Sequence, residues 1–177
     1  MKEVTFANRL MESGFWKVLL KIQGTIMFVT AAIMLAMLGA VVLARYAFHV
    51  DLYGYDEIIL VDSFWMYFIG ASYAMCKEEH IKADILASMM SKKMLAFTKI
   101  IAGVLQMAVN FVFIVLAYNM VSVSIETWTV SSLWNIPYFI PQISILLSFI
   151  VIGFYLTVFT IRDYNNFVSL KREGQTS

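Results

Sequence analysis

Four long stretches without charge decide what this chain can fold into. Ile22–Ala44 is 23 residues with no charged side chain, and Ile58–Cys76 is 19 residues interrupted only by Asp62. Ile100–Ile125 adds 26 uncharged residues, and Thr127–Ile161 adds 35. A helix needs about 20 apolar residues to cross the hydrocarbon core of a bilayer. The last run exceeds one crossing, and its opening, Thr127–Pro137, is rich in Ser, Thr and Trp. That opening reads as an interfacial loop, with the fourth helix over 138–161. Pro141 then falls in the first turn, where backbone N–H groups have no helical partner to lose.

The sequence therefore predicts an all-α integral membrane protein with four transmembrane helices, near 18–44, 58–76, 97–125 and 138–161. It predicts a single membrane domain over 1–177. Composition agrees. Apolar residues make up 61% of the chain and charged residues 14%, and the mean hydropathy is +0.78. Soluble domains carry about 25% charged residues, so a soluble or disordered chain is excluded. The single cysteine, Cys76, allows no internal disulfide, CxxC redox pair or cysteine-based zinc site. A net charge of +1 gives no basic field for nucleic acid.

Charge placement predicts the orientation. Lys2, Arg9, Lys17 and Lys21 precede the first span, and Lys77, Lys82, Lys92, Lys93 and Lys99 lie between the second and third. Arg162, Lys171 and Arg172 follow the fourth, so only Arg45 of the 13 basic residues lies on the other side. The positive-inside rule then places both termini in the cytoplasm. Val42-Leu43-Ala44 has the outline of a signal-peptidase site, but the run before it is longer than a signal h-region of about 7–15 residues, and no cleavage is expected. Between spans two and three, Ile81, Ile85 and Met89 recur at spacing four, with Glu78, Lys82 and Lys92 on other faces. That pattern predicts an amphipathic helix over 78–93 lying on the cytoplasmic membrane surface. Val4, Phe6, Leu10 and Trp16 give a weaker version at the N-terminus.

Few residues offer chemistry. Ala32, Ala36, Ala40 and Ala44 form a small-residue stripe on the first span, and Gly70 and Ala74 a shorter one on the second. Small residues at this spacing let helices approach closely in lipid, either within the chain or against another membrane protein. Asp62 is the one acid inside a span. A charge at the bilayer centre costs about 2.5–3.5 kcal/mol on insertion scales, but Asp62 is near one end, where an interfacial ion pair is expected before an ion-coupling role. Gln106 and Asn110 lie one turn apart on the third span and can bond each other or a neighbouring helix. His49 and His80 fall at opposite faces, which rules out paired axial haem ligands. His80, beside Glu78, Glu79 and Asp84, reads as a solvated face. Ser131 and Ser132 have no histidine nearby. No catalytic constellation and no cofactor site is expected. A lone transporter is disfavoured too, since such proteins show broken, repeated helices with polar groups at mid-membrane. The competing reading is a small proton-coupled exporter that works as a homodimer through Asp62.

The segment Arg45–Leu86 resembles the small membrane subunit of TRAP transporters (tripartite ATP-independent periplasmic transporters), the DctQ-like family. Arg45, Tyr46 and Phe48 match an Arg-Tyr-x-Phe motif after the first helix, and Asp56 and Glu57 match the acidic pair opening the second. Trp65 and Gly70 follow at the family spacing, and Lys77, Glu79, His80, Ile81, Asp84 and Leu86 match the basic, His-containing segment that follows. Ser132, Leu133, Ile136 and Pro137 resemble the family's Ser-x-x-Leu-x-x-Pro region at slightly shifted spacing. The sequence departs from the pattern at Tyr55, where Trp is usual, at Asp62, normally apolar, and at Pro141, which lies early in its helix.

The resemblance implies a scaffold in the bacterial inner membrane. It implies a large partner subunit of about twelve spans that carries substrate and sodium sites and moves as an elevator, and a periplasmic binding protein that delivers an organic acid anion. On this view Ala32, Ala36, Ala40, Trp65, Gly70, His80 and Asp84 are candidates for subunit contact or structural support. Arg45, Asp56 and Glu57 form a plausible ion pair between the first two helices. The loop from Trp128 to Trp134 and the acidic Asp51–Glu57 loop are candidate docking surfaces. Lipid is the remaining partner.

Overall fold

The computed structural model describes residues 6–77 and 92–173. Five helices follow in order: α1 (Phe6–Glu12), α2 (Gly14–Ala47), α3 (Tyr55–Cys76), α4 (Lys92–Glu126) and α5 (Phe139–Glu173). The last four are each long and apolar enough to cross a membrane. All four expected spans are present, and each outruns its expected bounds, α3 by only three residues at its start. α2 starts at Gly14, α4 starts at Lys92, and α5 continues past Ile161 to Glu173. Hydropathy marks where a helix leaves lipid, whereas helical hydrogen bonding continues into water until a cap or breaker stops it. Most of the surface helix expected over 78–93, with His80 and Asp84, lies outside the described residues; its last two positions open α4.

Ser13 divides α1 from α2. Its backbone is extended (φ −66°, ψ 154°), and its hydroxyl donates to Leu10 O at 2.6 Å while accepting from Trp16 N–H at 3.3 Å. This is N-cap chemistry. It turns the chain so that Trp16 enters the bundle instead of lying on the membrane surface. Trp16 is 5% exposed, with its ring 4.8 Å from Tyr155 and 6.1 Å from Phe159. Ala7, Met75, Cys76, Leu156 and Val158 complete this cluster. It closes the end of the bundle where the basic residues gather, here called the basic end; the opposite end is the loop end.

α2 and α3 form an antiparallel hairpin, and α3 and α5 run side by side in the same direction. α4 packs antiparallel on α5, which it touches far more than any other helix. On α4 the residues Ala96, Gly103, Asn110, Ala117 and Ser124 recur every seventh position. On α5 the fully buried Ser144, Ser148 and Tyr155 keep the same register, and on α3 Asp62, Ile69, Ser72 and Cys76 do so. Spacings of three and four are the left-handed, knobs-into-holes solution for long helices. Close approach supports it: a Cβ on Gly103 would stand 2.5 Å from Thr160 Oγ1.

The alanine stripe of α2 is not part of this interior. Ala32, Ala36 and Ala40 are exposed, and α2 turns Trp16, Gln23, Thr30 and Val41 inward. Gly70 does face a neighbour, with Met27 Cε 3.6 Å from where its Cβ would be.

Candidate functional site

The loop end is built around one carboxylate. Glu57 lies in the first turn of α3 and reaches the α4–α5 loop, 127–138. Its carboxylate accepts from Ser131 Oγ at 2.6 Å, Leu133 N–H at 2.9 Å and Trp134 N–H at 2.9 Å. Ser131 Oγ in turn accepts from Ile136 N–H at 3.0 Å, and the loop closes on itself through Ser131 N–H to Ile136 O at 2.9 Å. Trp134 donates its indole N–H to Gly54 O at 3.1 Å. Gly54 is left-handed (φ 78°), and a Cβ there would meet the Trp134 ring, so both backbone and space call for glycine. The polar loop holds its shape because the half-exposed first turn of α3 supplies an anion to its amides, each a charge-assisted bond.

The expected pairing at this end is therefore corrected. Arg45 does not meet Asp56 or Glu57; its Nε lies 3.1 Å from Asp51 Oδ1, and both side chains are more than half exposed. Glu57 is occupied by the loop, which is a nearer source of donors. Asp56 is exposed beside it. The loop presents Trp128, Leu133 and Trp134 outward at 62%, 60% and 58% exposure, and Tyr53 at 84% lies on the neighbouring turn. Such aromatics suit a membrane–water boundary. Trp65 is half-buried on α3.

Inside the bundle a polar seam joins three helices. Gln23 on α2 donates from Nε2 to Ser72 Oγ on α3 at 2.7 Å and accepts from Tyr155 O–H on α5 at 2.9 Å. The Ser72 hydroxyl in turn donates to Ile69 O at 2.8 Å. Sequence reasoning passed over Gln23, Ser72 and Tyr155. The available signal was a lone amide in an otherwise uncharged run, a costly group to insert without a partner. Asn110 on α4 bonds across to Phe149 O on α5 at 3.0 Å, one of the two options open for it, while Gln106 faces outward.

Asp62 is only 8% exposed, and its Oδ2 has no hydrogen-bond partner. The interfacial ion pair expected for it, within the chain or across a subunit contact, does not form within the chain among the described residues. It is the eighth residue of α3, about 10 Å along the helix, and its side chain is turned into the bundle. Because α4 rests on α5, an open groove separates it from α3. Two adjoining hollows of about 220 and 380 Å³ lie in that groove, lined by α4 and α5 with Met75 as the one α3 residue, and they share Met75, Gln106 and Leu156.

Residues 34–166 match the family model described as tripartite ATP-independent periplasmic transporters, DctQ component. No curated protein and no solved structure gives a significant match. The match covers three quarters of the chain and contains the Glu57 clamp, Asp62, most of the polar seam and all of the α3–α4 groove. The chain belongs to the DctQ family and is a small, multi-pass membrane component of a TRAP transporter, not an enzyme.

Proposed function

We propose that this chain is the static scaffold of a sodium-coupled TRAP transporter that imports an organic acid anion. It braces a large elevator-type subunit that carries the substrate and sodium sites, alongside a periplasmic binding protein. Both termini face the cytoplasm, so the Glu57 loop faces the periplasm. One observation carries the reading. The interior side chains of Gln23, Ser72, Tyr155 and Asn110 bond helix to helix, which fixes the bundle instead of lining a polar path. An anchored part beside a sliding one needs that fixity. The exposed stripe of Ala32, Ala36 and Ala40 is a candidate face for the large subunit, and the rigid Trp128–Trp134 loop a candidate face for the binding protein.

A second reading has one observation in its favour: the buried, singly unpartnered carboxylate of Asp62. In an independent proton-coupled exporter that group would carry the proton. Reconstitution in proteoliposomes separates the two. The scaffold reading expects uptake by the large subunit and binding protein to need this chain, and Asp62→Asn to keep most of it. Bulky replacements at Ala36 or Ala40 weaken assembly. Proton-driven flux by this chain alone, lost in Asp62→Asn, overturns it.

A further inference from the structure

We infer that the groove between α3 and α4 is a binding site for an anionic phospholipid, with the headgroup phosphate at Lys99 and an acyl chain lying along α4. The groove has two chemically distinct ends. At the basic end its walls include Lys99, Gln106, Thr160 and Arg162, with the carboxylate of Asp163 beside them. Farther along they become Leu105, Val109, Phe113, Ile152 and Leu156. Lys99 immediately precedes the uncharged run of α4, and Arg162 immediately follows that of α5. The close contact of Gly103 with Thr160 brings these two positions to the same level. The first cation that each helix meets on leaving the apolar layer therefore stands at the mouth of one groove.

The cations differ in availability. Arg162 is half-buried, 3.3 Å from Asp163 and with its guanidinium 5.0 Å from the Phe159 ring centroid, so it is already oriented. Lys99 is exposed and has no ion pair among the described residues. A lysine at this depth can lay its stem on apolar surface and offer its ammonium to a phosphate. From Lys99 to Phe113 the groove wall runs about 21 Å, longer than the roughly 15 Å of one hydrocarbon leaflet. A single acyl chain fits that track. A partner helix, about 10 Å across, fits less well into hollows of this size, and an apolar helix leaves the cationic mouth unmatched. The site depends on membrane insertion and not on the scaffold reading, which supplies only the leaflet.

The test is native mass spectrometry of the full chain, in its complex, released from nanodiscs of mixed phosphatidylglycerol and phosphatidylcholine. The expected result is retained phosphatidylglycerol adducts, weakened about fivefold by Lys99→Glu, weakened also by Val109→Trp, and unchanged by Lys17→Glu. A photoreactive residue at position 109 should crosslink to lipid. Equal retention of both lipids, or indifference to Lys99→Glu, overturns the proposal, as does crosslinking of position 109 to protein. Because Lys99→Glu alters an exposed side chain, it remains decisive if Val109→Trp fails to fold.

Discussion

The α2–α3–α5 group and the α4–α5 pair are held together in different ways. In the first, a hydrogen-bonded line from Ser72 through Gln23 to Tyr155 sets the register. In the second, small residues every seventh position on α4 let the helix sink onto α5, with Gly103 under Thr160 and Asn110 bonded to Phe149 O. Lipid tails are as apolar as the side chains, so neither pair can rely on the hydrophobic effect. The first relies on a chain of side-chain bonds across three helices, the second on close approach with a single side-chain-to-backbone bond. The Glu57 clamp joins the two, because it ties the start of α3 to the loop between α4 and α5.

Each contact can be broken separately. Gly103→Leu should have the largest effect, because Thr160 is short and β-branched and cannot swing away. We expect about 3 kcal/mol of lost stability in a reversible unfolding assay, partly recovered with Thr160→Ala, and little change around Gln23. Glu57→Ala should act next, and locally. The Leu133 and Trp134 amides should exchange with deuterium on the order of tenfold faster, while α4 stays on α5; unchanged protection would show that the loop holds itself. Gln23→Leu should cost about 0.6–1.7 kcal/mol, loosening α2 from α3 and α5 without moving α4, and a larger loss would make the seam the main support of the fold. Arg45→Ala should leave the melting temperature unchanged, since exposed pairs contribute little.

The four spans were legible from the sequence, because a charge-free run has one meaning in a bilayer. Which face of each span turns inward was not. In a soluble helix apolar residues mark the buried face, but here they cover both. Ala32, Ala36 and Ala40 invited close packing and lie outside, whereas the inward faces are marked by the exceptions: Gln23, Thr30, Ser72, Asn110, Ser144 and Ser148. Reading the polar residues as the buried stripe would have found the interior. Partner choice was equally hidden. Arg45 and Glu57 are on the same side of the membrane, yet Asp51 and the amides of a loop more than seventy residues away stand closer.

The unequal helix lengths have a mechanical consequence. α3 has 22 residues, about 33 Å, while α2, α4 and α5 have 34, 35 and 35, more than 50 Å each. A helix matched to a hydrocarbon layer of about 30 Å has little freedom to tilt, whereas longer ones can lean or protrude. α3 is thus the ruler of the bundle. Its ends, clamped by Glu57 on one side and Trp16's aromatic cluster on the other, set the depth at which the whole protein floats. In a thicker or thinner membrane, α3 is the helix that should register the mismatch first.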